Sequence, residues 1–88
     1  MVKEKVKIQN ESGLHARPAA ALVKLASKYK SEFFIEMYGY RVNGKSILGV
    51  MTLAADHDTE IELILDGPDE KEAMDAIKNL VDNKFDSE

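Results

Sequence analysis

Gly13-Leu14-His15-Ala16-Arg17-Pro18-Ala19-Ala20-Ala21-Leu22-Val23 is the stretch on which the reading of this chain turns. Ala19, Ala20, Ala21, Leu22, Val23, Leu25 and Ala26 form an Ala/Leu-rich run of high helix propensity, and a short alternating stretch precedes it. Pro18 supports a helix start here, because proline in a first turn gives up an N–H that has no intrahelical partner anyway. His15 then falls at or near the N-cap. The N–H groups of Ala16 and Arg17 are left unpaired by the helix. With the macrodipole and the Arg17 guanidinium they make a positive pocket beside one imidazole.

The sign of that field has two consequences. Before any reaction, it favours the unprotonated ring, whose lone pair is free for attack. After reaction with a phosphoryl donor, the same N–H groups and Arg17 face a dianionic phosphate and stabilise it by charge-assisted hydrogen bonds. A phosphoramidate bond stays reactive, so the group can move on to a second protein. The local physics therefore reads as a phosphohistidine relay site. The plainer reading is a surface histidine that merely closes a helix.

Composition bounds the alternatives. A chain of 88 residues reads as one domain over 1–88, able to bury only about 60–65% of its unfolded surface. Its 44% hydrophobic and 32% charged residues are ordinary for a globular fold that needs no cofactor. A formal net charge of -4 argues against direct nucleic-acid binding, which phosphate attraction dominates. Cysteine is absent, which excludes disulfides and thiolate metal sites. No apolar run approaches the roughly 18 residues that insert into a membrane. Met1-Val2-Lys3-Glu4-Lys5 lacks the apolar core of a signal peptide, so a cytoplasmic protein is expected.

Outward from the helix, periodicity predicts seven elements. Val2 to Ile8 alternates as a half-buried strand, with Val2, Val6 and Ile8 inward and Lys3, Lys5 and Lys7 in solvent. A polar turn over 9–14 leads to a helix from Ala16 to about Lys28. Glu32 to Met37 reads as a strand with Phe33, Ile35 and Met37 inward and Phe34, unusually, outward. Tyr38-Gly39-Tyr40 turns it into a short returning strand, Tyr40 to Asn43. Ser46 is a serviceable N-cap for one or two helical turns over Ile47 to Leu53. An acidic loop over 54–59 precedes a strand from Glu60 to Leu65, whose Ile61, Leu63 and Leu65 face the core, and Asp66-Gly67-Pro68 breaks it. Asp69 followed by Glu72 is a capping-box variant opening a last helix that ends near Asn83, with Phe85 able to fold back onto the core. Four half-apolar strands forming one sheet, with helices on its apolar face, make an α+β layer.

Two runs carry a resemblance: Ser12-Gly13-Leu14-His15-Ala16-Arg17-Pro18-Ala19, and Asn43-Gly44-Lys45-Ser46-Ile47-Leu48-Gly49-Val50-Met51 some thirty residues later. Together they resemble HPr, the phosphocarrier family of the bacterial sugar phosphotransferase system (PTS), and the likeness extends over the whole chain in length and element order. It implies an open-faced β-sandwich of βαββαβα order, a four-stranded antiparallel sheet with three helices on one face. It implies that His15, through Nδ1, accepts a phosphoryl group from phosphorylated enzyme I and passes it to sugar-specific enzyme IIA domains. The chain would thus be a monomeric carrier and not a stand-alone enzyme. Arg17 would steady the phosphoryl group, Pro18 fix the turn, and Ser12 lie near the ring.

By the same resemblance, Ser46 matches the serine that a dedicated ATP-dependent HPr kinase/phosphorylase modifies in Gram-positive bacteria. Without it, Ser46 needs no explanation beyond its N-cap. Ala16, Ala20, Ile47, Leu48 and Met51 match an apolar docking patch, although Ile47, Leu48 and Met51 are equally readable as core. His57, between Asp56 and Asp58, is expected to be exposed and to hold no metal. The sequence departs from many HPr chains at Ala54 and Asp58, where those have glycine. Asp58 can take a left-handed turn conformation, whereas Ala54 could restrict the backbone's approach to the phosphate. Two other functions stand beside the carrier: a regulatory module that acts as corepressor of a catabolite-control transcription factor when Ser46 is phosphorylated, and an ACT-like sensor. The first would not need an intact imidazole, and the second gives no reason for the arginine beside it.

Overall fold

Alternation in four segments becomes one antiparallel sheet. The computed structural model describes residues 1–86, and in chain order its elements are β1 (Val2–Lys7), α1 (Ala16–Ala26), β2 (Glu32–Met37), β3 (Tyr40–Asn43), α2 (Ile47–Thr52), β4 (Glu60–Asp66) and α3 (Glu70–Asp82), followed by a single turn at Lys84–Asp86. The strands lie in the order β1-β4-β2-β3. Register places apolar residues opposite one another on a single face: Val6 pairs with Ile61, Val2 and Phe33 both with Leu65, and Ile35 with Leu63 and Val42. The three helices cover that face with Ala19, Leu22 and Ala26 from α1, Val50 from α2, and Ala73, Met74, Ile77 and Val81 from α3. The chain then turns through left-handed Lys84 (φ 55°) and Phe85 (φ 57°), which brings the Phe85 ring into the core as expected.

The opposite face is wet and largely neutralises itself. Across the sheet Lys5, Glu62, Glu36 and Arg41 form one row, cations on the edge strands and carboxylates on the inner ones. Glu36 and Glu62 are like charges directly opposite, an arrangement that destabilises a sheet unless compensated. Arg41 Nε reaches Glu36 at 3.2 Å, and its guanidinium lies 5.7 Å from the centre of the Phe34 ring. The lysines of β1 also charge an edge that could otherwise pair with another chain. Phe34 faces outward as expected, but Ile64, its cross-strand partner, is only 1% exposed on this same face, so the wet face carries a small apolar strip.

Two local expectations are corrected. Helix α1 ends at Ala26 and not near Lys28, because Lys28 and Tyr29 donate to Leu25 and Ala26 three residues back, tightening the chain out of α geometry. The capping box at α3 does not form. Asp69 makes no side-chain bond to its own helix. Its carboxylate instead accepts from the Lys30 N–H (2.8 Å), the Ser31 N–H (2.9 Å) and the Ser31 hydroxyl (2.5 Å), while Glu70 accepts from the Gly67 N–H at 3.1 Å. The reason is proximity. A Cβ on Gly67 would lie 2.6 Å from Ser31 Cα, so the start of α3 abuts a buried serine whose groups need an acceptor.

The Ser31 hydroxyl, then the Lys30 amide, hold the Asp69 carboxyl down from an ordinary 3.8 to about 2. A folded-state value below the unfolded one contributes stability that is fully present above about pH 4 and is lost as pH falls toward 2. Asp69→Asn should therefore lower Tm by several degrees at pH 7 and flatten the decline of Tm between pH 4 and 2, as followed by circular dichroism. Backbone strain makes a second expectation. Ala54 (φ 49°) and Asp58 (φ 71°) both adopt the left-handed conformation, which aspartate tolerates and alanine does not. Ala54→Gly should raise stability in urea denaturation by about 0.5–1 kcal/mol, the relief of strain less the extra unfolded-state freedom of glycine.

Candidate functional site

The loop between β1 and α1 is laced to the loop between α2 and β4. Ile8 donates to Thr59 at 3.0 Å and accepts from Asp58 at 2.8 Å, and farther on Leu14 N–H donates to the Ala55 carbonyl at 2.7 Å. Gly13 sits between them at φ 74°, where a Cβ would lie 2.5 Å from the Ala55 oxygen, so no other residue type fits this approach. Gly13 N–H donates to the Asn10 carbonyl at 3.1 Å, and the Asn10 side-chain amide donates to the Gly13 carbonyl. Leu14 is buried at 3% exposure and anchors the chain just before it enters the helix.

His15 follows as the N-cap of α1, with extended backbone (φ -88°, ψ -169°). Its carbonyl accepts from Ala19 at 2.9 Å, so the backbone cap is made, but its ring caps nothing and is exposed. The N–H groups of Ala16 and Arg17 have no intrahelical acceptor, and Pro18 has no N–H at all. Pro18 is buried and fixes the first turn. Arg17 is exposed and makes no ion pair among the described residues, and the first turn holds no carboxylate. His15 thus stands at the N-cap position expected of it, with Arg17 two residues on. The arrangement places an exposed imidazole, two amides without an intrahelical acceptor and one guanidinium without an ion pair among the described residues within a single turn.

Charge is distributed around this site in a way that net composition hides. From Ser12 to Ser31 and from Met37 to Ala55 the chain has Arg17, Lys24, Lys28, Lys30, Arg41 and Lys45 but no carboxylate. Helices α1 and α2, which touch one another, are therefore free of acidic residues on a protein whose net charge is -4.

Ser46 is the N-cap of α2, its hydroxyl accepting from Gly49 N–H at 3.1 Å. Lys45 is held in place by its ammonium, which donates to the Tyr29 carbonyl at 2.8 Å. Helix α2 is about 9 Å long, and its far end leads through Ala54 to the Ala55 carbonyl that holds Leu14. Ser46 and His15 thus lie at opposite ends of one short helix and its loop. Ile47 (44%), Leu48 (79%) and Met51 (40%) are exposed, Val50 alone of α2 being core, and Ala16 and Ala20 on α1 are exposed as well. His57 is exposed, and among the described residues no group of three His, Cys, Asp or Glu side chains could hold a metal ion. Nor is any helix long and apolar enough to cross a membrane. What the sequence reading missed is Asn10, read as part of a polar turn yet fully buried. The signal available was its spacing three residues before a glycine, which suits a side chain that closes its own turn.

Comparison with known proteins gives one answer. The family profile PTS-HPr, described as "PTS HPr component phosphorylation site", matches residues 2–83. The phosphocarrier protein HPr of Treponema pallidum is 47% identical over 88 residues, covering all of both chains. Among solved structures, HPr-C-His from Thermoanaerobacter tengcongensis superimposes with a TM-score of 0.95 at 41% identity, over 100% of this chain and 99% of that one. Crh of Bacillus subtilis, whose crystal structure is described as a swapped-domain dimer, gives a TM-score of 0.77 at 43% identity over 96% and 97% of the two chains. With the open-faced α+β fold and the exposed N-cap histidine already in place, these matches make the chain a member of the HPr family of PTS phosphocarrier proteins.

Proposed function

We propose that the protein is a cytoplasmic phosphocarrier. His15 accepts a phosphoryl group from the phosphorylated histidine of enzyme I and delivers it to enzyme IIA domains in sugar uptake. The observation that carries this is an exposed imidazole at the mouth of α1 that caps nothing, with Arg17, which makes no ion pair among the described residues, two residues on. In the transfer, the N–P bond of the donor breaks as the bond from a His15 ring nitrogen to phosphorus forms. By family resemblance that nitrogen is Nδ1. The Ala16 and Arg17 amides and the Arg17 guanidinium meet the charge of the arriving group, and Pro18 keeps the turn from unwinding beneath it.

Ala16, Ala20, Ile47, Leu48 and Met51 form the docking patch on this reading. A shallow apolar surface with an adaptable methionine suits exchange between several partners. The absence of carboxylates from α1 and α2 suits partners that present acidic groups. The carrier acts as a monomer, and a single symmetric peak at its own mass in sedimentation would set it apart from the swapped dimer described for Crh.

Ser46 is the proposed control point, for an ATP-dependent HPr kinase/phosphorylase. Phosphate on that N-cap adds about -2 of charge at a helix N-terminus, which tolerates it, within a patch that acidic partners approach. The likeness to Crh favours a second reading, in which the Ser46-phosphorylated form serves as corepressor of a catabolite-control transcription factor. The two are compatible, and the imidazole separates them.

Incubation with enzyme I and labelled phosphoenolpyruvate should place acid-labile, base-stable label on the protein. His15→Ala should abolish the label with the circular dichroism spectrum unchanged, and label persisting in that variant would refute the assignment. Ser46→Asp should accept the group from enzyme I about tenfold more slowly, as like charge at an interface demands. An unchanged rate in that assay would remove Ser46 from control.

A further inference from the structure

Asn10 lies five residues before His15, fully buried, and its side chain breaks a rule that the rest of the core keeps. Its amide nitrogen donates to the Gly13 carbonyl, but Oδ1 meets no protein donor, the single such buried atom among the described residues. An interior acceptor left unmatched costs on the order of 1–3 kcal/mol. Stability alone therefore gives little net reason for asparagine here, since alanine would remove the unmatched Oδ1 while leaving the Gly13 carbonyl without its donor, two terms of similar size and opposite sign.

What the side chain does hold is one peptide unit. The carbonyl of the Gly13–Leu14 peptide is tied to Asn10, and the N–H of that same peptide is tied to the Ala55 oxygen at 2.7 Å. The plane is pinned at both ends, one residue from the imidazole. Beyond it the His15 ring makes no capping bond and no other side-chain hydrogen bond among the described residues, so the backbone beneath it sets where its Cβ stands. Gly13, at φ 74°, is the residue type least able to keep a backbone angle unaided. With its carbonyl released, the peptide can rotate about the bonds on either side and carry His15 with it. Group transfer is sensitive to such shifts, a displacement of about 1 Å being able to cost about a hundredfold in rate.

We propose that Asn10 is a positioning residue for phosphoryl transfer, fixing the Gly13–Leu14 peptide so that the His15 ring is presented in line with the donor's phosphorus. This rests on the reading of His15 as phosphoryl acceptor. The test uses wild type, Asn10→Ala and Asn10→Ser as acceptors for enzyme I, with kcat and KM measured separately and Tm recorded for each. Asn10→Ala should lose about tenfold in kcat at unchanged KM, because the docking patch lies on α1 and α2, and should keep Tm within a few degrees. Asn10→Ser should recover most of the kcat, since a serine hydroxyl can donate to the Gly13 carbonyl, as serine does in turns of this kind. If Asn10→Ala does not fold, Asn10→Leu, which fills the same space and donates nothing to the Gly13 carbonyl, takes its place and should show the same loss of kcat at unchanged KM, a wild-type kcat overturning the proposal.

Wild-type kcat in Asn10→Ala overturns the proposal. So does a rise in KM alone, which would make Asn10 a docking residue, or a joint fall of kcat and Tm in both variants, which would make it scaffold. Failure of the wild type itself to accept the group is a different result. It defeats the carrier reading, and the proposal falls with it.

Discussion

The Ala55 carbonyl oxygen is where two parts of the chain meet and constrain each other. It accepts the Leu14 N–H at 2.7 Å, and it stands where any side chain on Gly13 would have to go. The loop entering α1 is thereby fastened to the loop leaving α2. Farther back, Ile8 is bonded to Asp58 and Thr59, so the two loops are joined at both ends of the 8–14 segment. A helix N-terminus at the end of an untethered glycine loop would present its amides in many directions. Here it presents them in one, and the left-handed turn at Ala54 is the strain accepted to bring Ala55 into reach.

A chain of net charge -4 also distributes its charges unevenly between its sheet and its first two helices. Carboxylates fall in the segments that build the sheet, the 56–60 loop, α3 with its N-cap, the C-terminal residues and the 9–14 turn, whereas α1 and α2 contain none. On the wet sheet face, cations at the edges answer the acids within. The field at His15 is therefore dominated by the helix mouth and Arg17, since Lys24 lies at the far end of α1, beyond a Debye length of about 10 Å at moderate salt. Net charge bears on solubility, while on the proposed reading this local pattern bears on which partner surfaces approach.

Much of this was legible in the residues. Strands β2 and β3 were readable to their ends, because alternation was strict and Tyr38-Gly39 and Gly44 bounded it. The helix start at Ala16 was equally plain from Pro18. The failures share a cause, which is that local spacing sees only local partners. Asp69 looked like half of a capping box, but the groups it binds lie 38 and 39 residues away. Ile64 looked solvent-facing by its parity, and it is buried because the register sets it beside Phe34. The end of α1 was set by tightened bonds after Ala26 that helix propensity does not encode. The side-by-side order of the strands came from resemblance and could not come from periodicity, since four alternating strands pair in several ways. Asn10 was hidden by a sound rule, that polar loop residues face water.

That exception bears on how a carrier differs from an enzyme. An enzyme encloses its reacting atoms and can orient them with side chains from several directions. An exposed imidazole on a convex surface has no such walls, and on the proposed reading it must fit the closed sites of unlike partners in turn. Its geometry can then be controlled only from beneath, through the backbone. On that reading, a peptide pinned under the imidazole and a proline-locked first turn would do this without placing any group where a partner must enter. The buried asparagine and the glycine that admits Ala55 are two halves of that solution, one supplying the hydrogen bond and the other the room for it.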